Sequence, residues 1–162
     1  MQEQINYLKR IAMSFTDIQY SIKYLDKTIK ETDKLILRAL HEAIIISYTR
    51  PFSAYDKRYH KIKSLNKKFI HTFNSTEKEL HDNILKLRNS IIAHSDGKSY
   101  DVNLNIFKLD KELNSLHSIQ RNIPTILSNK EMEILRNCCE KIINYLITEQ
   151  IKIKNTVDIG NY

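Results

Sequence analysis

The chain has 162 residues, about the size of one ordinary domain, and a formal net charge of +7 that favours an anionic partner. Only two glycines and two prolines occur, too few for the many turns of a β-sandwich or barrel and for the glycine-rich loops that hold nucleotide phosphates. No apolar run is long enough to span a membrane, and the first residues have no apolar signal-peptide core, so we expect a cytoplasmic protein without a membrane partner.

The first predicted helix carries apolar side chains at strides of three or four, which form one stripe on a helix. The members of this stripe are Ile5, Leu8, Ala12, Phe15, Ile18, Ile22, Leu25 and Ile29. A second helix is predicted from about Thr32, which can cap it, and Asp33 favours the positive end of the helix dipole. Residues 35–46 are apolar on most sides of that helix, so we expect it to be covered on several faces. Pro51 should end it, because the residue before a proline disfavours helix.

Residues 51–74 are less regular, allow a short helix around 64–72, and combine basic with aromatic side chains. Between Ala54 and Phe73 the sequence contains one acidic residue, Asp56, and six basic ones: Lys57, Arg58, Lys61, Lys63, Lys67 and Lys68. The candidates for RNA contact in this stretch are Tyr55, Lys57, Arg58, Tyr59 and Lys61. Lysines can neutralise phosphates with salt-dependent affinity, and exposed tyrosines can stack on bases. The alternative is a solvated, lysine-rich surface with no ligand.

The third helix is predicted to open at Asn74-Ser75-Thr76, with Glu77 and Glu79 placed for a capping box, and to stop before Gly97, which suits a left-handed cap. Its apolar face consists of Leu80, Ile84, Leu87, Ile91 and Ile92. Alternation over 102–106 then indicates a short strand, whereas 109–123 fit either a helix or an extended loop.

The last helix is predicted to start at Ser128, with Glu131 completing a capping box. Its inward residues are expected to be Met132, Leu135, Cys138, Ile142, Tyr145 and Leu146. Together these elements predict an all-α fold, an antiparallel bundle of four to five helices with a small irregular or short β insertion after the third main helix. We expect one domain over 1–154 and a frayed tail over 155–162.

The histidines and cysteines do not form a recognisable metal motif. His41-Glu42 begins like the zinc motif H-E-x-x-H, but position 45 is isoleucine, and the adjacent pair Cys138-Cys139 is ill placed for a disulfide. One of the two cysteines is expected to face inward and serve packing. The sequence therefore predicts no metal and no cofactor.

A different chemistry is indicated at the end of the third helix, where Arg88, Asn89 and His94 stand among apolar residues. Histidine exchanges protons near neutral pH, and the arginine fork matches phosphate oxygens. A base that takes the 2′-hydroxyl proton and a cation that stabilises the phosphorane suffice to cleave RNA without a metal, leaving a 2′,3′-cyclic phosphate. These three residues are the candidate catalytic group.

The run Arg88-Asn89-Ser90-Ile91-Ile92-Ala93-His94 resembles the signature of HEPN domains, an arginine, a polar residue and a histidine four to six positions further on. Arg50-Pro51-Phe52-Ser53 resembles a segment that follows the second helix in some members. The resemblance implies a helical bundle that forms homodimers and, in active members, a metal-independent endoribonuclease. Many members act in toxin–antitoxin or related defence systems, so an antitoxin protein is a possible partner.

By this resemblance Arg88 polarises the phosphate, His94 is the general base or acid, and Asn89 orients one of them. Residues six apart differ by about 240° around an ideal helix, so Arg88 and His94 do not share a face. They meet if the chain leaves helical geometry before Gly97, or if two chains pair so that the arginine of one meets the histidine of the other.

Structural alternatives exist for each of these residues. Arg88 can pair with Asp82 or Asp96, and His94 can cap the carbonyls of its helix. For 50–53 the alternative is helix termination with a phenylalanine filling the core, although Arg50 could bring charge to an RNA site. At the level of function, the alternative is a non-catalytic HEPN-like module that binds a protein or nucleotide.

Overall fold

The computed structural model describes residues 2–53, 64–92, 101–108, 114–122 and 127–154, with side chains for 2–53, 64–88 and 127–154. Four helices carry most of this chain: α1 (Gln2–Thr28), α2 (Lys34–Thr49), α3 (Ser75–Ile92) and α4 (Asn129–Lys154). Short 3₁₀ segments occupy Arg50–Phe52 and Lys67–Thr72. The tail predicted over 155–162 and the cap predicted at Gly97 lie outside the described residues.

Contacts of α1 with its neighbours define how the helices run. Near the start of α1, Arg10 donates a hydrogen bond to a carbonyl just after α2, and further along Ser21 donates to the carbonyl of Ile44 inside α2. The end of α1 meets the beginning of α4, where the Thr28 hydroxyl lies 3.4 Å from the sulfur of Met132. Both α2 and α4 therefore run antiparallel to α1, and the predicted helical bundle is confirmed.

The buried face of α1 differs from the predicted apolar stripe. Its buried residues, apart from Arg10, are spaced by three and four: Ile11, Ser14, Ile18, Ser21, Leu25 and Thr28. Ala12 is exposed, and Ile29 is 74% exposed. Small hydroxyl residues let α1 approach α2 closely, since the Ser21 hydroxyl reaches the Ile44 carbonyl at 3.1 Å. A stripe drawn through apolar residues alone is therefore wrong by a rotation about the helix axis.

Helix α2 begins one residue later than predicted and is covered only in its second half. Asp33, not Thr32, is the N-cap, because its carboxylate accepts from the amides of Leu35 and Ile36. Those two apolar residues are exposed, so the expectation of a helix covered on several faces is wrong for the start of α2. The helix ends at Thr49 and passes into a 3₁₀ turn that contains Pro51, so the predicted termination is confirmed.

The predicted caps of α3 and α4 are confirmed. The Asn74 amide donates to the Glu77 carboxylate at 2.7 Å, and the Glu77 amide donates to the Asn74 side chain at 2.9 Å. At α4, the Ser128 amide donates to Glu131 at 2.8 Å and the Glu131 amide donates to the Ser128 hydroxyl. Each pair satisfies two donors that a helix start leaves without partners. Both Cys138 and Cys139 are buried, whereas only one was expected to face inward.

Between α3 and α4 the chain forms two antiparallel strands, β1 (Asp101–Lys108) and β2 (Asn114–Asn122). Their register pairs Asp101 with Asn122 and Lys108 with Asn114, with an irregularity between Asn105 and Ile106. The residues with predicted alternation, 102–106, fall within β1. Of the two alternatives left open for 109–123, helix is excluded for Asn114–Asn122, which is a strand.

The core draws on all four helices and on both 3₁₀ segments or their flanks. Its largest fully buried apolar side chains are Ile11, Ile18, Ile44, Ile45, Tyr48, Leu65, Phe69, Ile84, Leu135, Ile142 and Leu146. A shared core of this kind fixes the end of α2 relative to α3. Among the described residues, no helix has both the length and the hydropathy of a membrane span.

Candidate functional site

Arg88 lies on α3, one turn before the last described helical residue, Ile92. It follows the buried Ile84 by four residues, so it stands at the edge of the face that α3 turns to the core, and its side chain is half-buried. Asn89 is helical in its backbone, and its side chain is outside the description. His94 lies outside the described residues. Of the three predicted catalytic residues, the structure thus places the Arg88 side chain and the Asn89 backbone.

One structural alternative for Arg88 can be examined directly. Asp82 is exposed and precedes Arg88 by six residues on the same helix. Within the part of the chain whose side chains are described, neither Asp82 nor another carboxylate forms an ion pair with Arg88. The other alternative partner, Asp96, is outside that part. The Arg88 guanidinium is therefore not neutralised by a described carboxylate.

The segment Arg50–Ser53 is tied to α1 by one buried guanidinium. Nη2 of Arg10, a residue only 3% exposed, donates to the carbonyls of Arg50 at 2.8 Å, Pro51 at 2.5 Å and Ser53 at 3.2 Å. Carbonyls at the end of a helix have no partner within the helix and carry partial negative charge. Arg10 supplies donors and positive charge to the carbonyls of the 3₁₀ turn after α2, where the Arg50 carbonyl also accepts from the Ser53 amide and the Pro51 carbonyl from the Leu65 amide.

Arg50 itself points its charge toward solvent. Its Nη1 lies 3.4 Å from a carboxylate oxygen of Asp17, and its side chain is 61% exposed, against 18% for Asp17. Burial raises the pKa of Asp17 above its ordinary value, while the hydrogen bond and the charge of Arg50 oppose that rise. The Arg50 guanidinium thus pairs with one carboxylate and remains accessible to a second anion from solvent.

The two segments that resemble the HEPN family are separated along the axis of α3, because the Arg50–Ser53 segment packs near the middle of that helix and Arg88 lies near its end. The ring of Phe52, in the Arg50–Ser53 segment, packs 4.9 Å from the imidazole of His81. Arg88 follows His81 by seven residues, which is about 10 Å along a helix axis. The described contacts place Arg50 beside Asp17 and do not join it to Arg88. Phe52 is partly buried and packs against the core residues Tyr48 and Phe69, which agrees with the structural alternative for this segment.

The other candidates for RNA contact, Tyr55, Lys57, Arg58, Tyr59 and Lys61, lie outside the described residues. The described residues on either side of this stretch, which end at Ser53 and resume at Ser64, are joined by a backbone hydrogen bond. The amide of Leu65 donates to the carbonyl of Pro51 at 2.9 Å, the same carbonyl that Arg10 binds.

Sequence reasoning missed a polar pair in the middle of the bundle. The Tyr48 hydroxyl and Nδ1 of His81 lie 2.8 Å apart, and both residues are fully buried. The edges or faces of Phe52, Phe69 and Phe73 surround the imidazole. Burial lowers the pKa of His81 from 6.5 to about 4, so this imidazole is neutral at pH 7. A sequence signal existed, since position 81 lies one helical turn before Ile84 on the apolar face.

A second missed feature adjoins this pair. Glu77 is buried, and Nζ of Lys141 lies 2.8 and 2.7 Å from its two carboxylate oxygens. The Cys138 sulfur lies 4.0 Å from the Glu77 carbonyl. Burial raises the pKa of Cys138 to about 12 and also raises that of Cys139. Neither thiol is a thiolate at neutral pH, so this cluster lacks an activated nucleophile.

Among the described residues, no group of three or more histidine, cysteine, aspartate or glutamate side chains is arranged to hold a metal ion. No family model, no curated protein and no solved structure matches this chain. The likeness to HEPN domains therefore rests on the two short runs quoted above.

Proposed function

We propose that this protein is a metal-independent endoribonuclease of HEPN type that acts as a homodimer in a cytoplasmic toxin–antitoxin or defence system. The observation that carries the proposal is the position of Arg88. Arg88 is half-buried on α3, one turn before Ile92, the last described residue of that helix. It forms no ion pair with a described carboxylate. Asn89 follows it directly, and His94 follows six residues later.

The end of α3 is a favourable place for an arginine and a histidine to cooperate. Residues 88 and 92 are four apart, so they point about 40° apart around the helix and lie about 6 Å apart along it. The backbone of Ile92, which precedes His94 by two residues in the sequence, therefore lies on the side of α3 that carries Arg88. This supports a shared site without requiring the helix to bring residues six apart onto one face.

The proposed reaction is an internal transfer at phosphorus. The base, His94, takes the 2′-hydroxyl proton, the O2′–P bond forms, and the P–O5′ bond breaks. The departing 5′ oxygen takes a proton from a water molecule, and the hydroxide that remains is neutralised by the imidazolium of His94, so each site needs one histidine. The guanidinium of Arg88 binds the non-bridging oxygens, where negative charge increases in the transition state. The products are a 2′,3′-cyclic phosphate and a 5′-hydroxyl.

The test is cleavage of a labelled single-stranded RNA in excess EDTA by the wild type, Arg88→Ala and His94→Ala. Loss of a catalytic acid–base or charged group should slow cleavage by roughly 10²–10⁴-fold. Lys86→Ala is the matched control, because Lys86 is an exposed cation on the same helix, about 200° around from Arg88. An RNA left intact by the wild type contradicts the proposal and favours the binding-module alternative.

Mixing the two inactive variants tests the dimer. If a site combines Arg88 of one chain with His94 of the other, subunit exchange restores about a quarter of the wild-type rate, because half of the dimers are mixed and one of their two sites is intact. No recovery after exchange would place both residues of a site in one chain.

A further inference from the structure

We propose that Arg10 is a positioning residue for RNA binding, which holds Arg50 where its guanidinium can bind an RNA phosphate. This inference rests on the proposed function, because it names part of the RNA-binding surface. Arg10 would not touch the RNA, since its side chain is buried. It would act through the backbone of the segment that carries Arg50.

The bonds of Arg10 reach beyond what is needed to cap a helix. The last residue of α2 is Thr49, whereas the three acceptors of Arg10 belong to residues 50, 51 and 53, in the turn that follows. The carbonyl of Pro51 also accepts from the amide of Leu65. The guanidinium therefore joins α1 to the turn after α2, and the Pro51 carbonyl that it binds also holds the chain that returns at Leu65.

These hydrogen bonds hold the backbone of Arg50 in place. Its own carbonyl is bound by Arg10 at 2.8 Å, and its side chain extends from there along Asp17 toward solvent. A cation on an ordered backbone binds phosphate with a smaller loss of conformational entropy than one on a mobile backbone. Asp17 neutralises Arg50 only in part, because the pair is 3.4 Å apart and Arg50 is largely exposed.

The experiment is a double-mutant cycle on RNA affinity. The probe is a fluorescein-labelled single-stranded RNA with 2′-O-methyl groups, which has no free 2′-hydroxyl and cannot be cleaved by the proposed reaction. The proteins are wild type, Arg10→Met, Arg50→Met and the double variant. Each single change is expected to weaken binding roughly fivefold to tenfold, the value of about one charged contact. The double variant is expected to bind no more weakly than Arg50→Met, because Arg10 acts through Arg50.

The salt dependence gives a second readout. For single strands, each lost phosphate contact reduces the slope of log affinity against log salt by about 0.7. Arg10→Met and Arg50→Met should lower the slope equally. Lys9→Met, which removes the same charge from an exposed neighbour, should leave the slope unchanged. If Arg10→Met does not fold, Arg10→Lys serves in the same cycle, with a smaller loss of affinity that again disappears in the Arg50→Met background.

Three outcomes would overturn the inference: Arg10→Met binding as tightly as wild type, losses in the two single variants that multiply in the double variant, or a wild type that does not bind the RNA. Binding that follows the cycle while ordinary RNA is not cleaved would reject the endoribonuclease proposal and leave the role of Arg10 standing.

Discussion

Acid is expected to destabilise this protein through His81. Its imidazole is 1% exposed, hydrogen-bonded to the Tyr48 hydroxyl and enclosed by three phenylalanine rings. Burial lowers its pKa from 6.5 to about 4, with the charge of Asp82 acting in the opposite direction and that of Lys67 acting in the same direction. In the unfolded chain the imidazole meets water and titrates near its ordinary value.

The size and sign of the effect follow from these two pKa values. Because the folded pKa is the lower one, the unfolded state binds the proton first as the pH falls. The contribution of His81 is complete above pH 6.5 and is lost progressively between 6.5 and about 4. A difference of about 2.5 units at 1.36 kcal/mol each corresponds to about 3 kcal/mol. That is a large share of the 5–15 kcal/mol that typically stabilises a domain, on the order of what a single core substitution costs.

Urea unfolding between neutral pH and pH 4 measures this loss, with His81→Gln as the comparison. Glutamine can still hydrogen-bond to Tyr48 but does not titrate, so the stability advantage of the wild type should shrink by about 3 kcal/mol across the range. Subtracting the two curves removes the contributions of His41 and other groups that both proteins share. The exposed His71→Gln should follow the wild type. Parallel curves for wild type and His81→Gln would refute the assignment of the acid sensitivity to His81.

Two further predictions concern the cluster beside this histidine. Glu77→Gln should lower the free energy of unfolding by about 1–3 kcal/mol, because it removes the negative charge that binds Lys141 and the Asn74 amide. The matched control is Glu133→Gln, which changes an exposed carboxylate on α4 and should alter the free energy of unfolding little. Since its pairing lowers the pKa of Glu77, the difference should fade as the pH drops through and below 4.5; a constant difference in urea melts would contradict this. Cys138 and Cys139 should react with a thiol reagent at neutral pH only as fast as the protein opens, because burial raises both pKa values; immediate labelling of native protein would exclude their burial.

Features set by neighbouring residues were predictable from the sequence. The caps at Asn74 and Ser128 and the helix end at Pro51 depend on side chains within three or four residues, so each could be identified by spacing alone. The exposed start of α2 at Leu35 was not predictable in this way, because its exposure depends on whether another helix extends far enough to cover it.

Interactions between distant parts of the chain were missed. Arg10 binds carbonyls 40 to 43 residues away, and its position in α1 gives no sign of this in a pattern of apolar residues. Tyr48 and His81 are 33 residues apart, so although His81 lies on the apolar face of α3, no local spacing identifies its hydrogen-bond partner. The buried face of α1 was misplaced for a related reason, since Ser14 and Ser21 are buried although neither is apolar.

The two arginines of the proposed RNA surface both stand near the carboxyl ends of helices, Arg50 just after α2 and Arg88 one turn before the described end of α3. A helix attracts anions at its amino end and repels them at its carboxyl end. Phosphate binding at Arg50 and Arg88 would therefore gain nothing from the helix dipoles and would depend on the guanidinium charges alone. The carboxyl ends stabilise these cations in the free protein, and an RNA phosphate must compete with that stabilisation, at Arg50 also with Asp17. Such a surface should release RNA readily as salt increases, and its affinity should depend on how well each arginine is held in place.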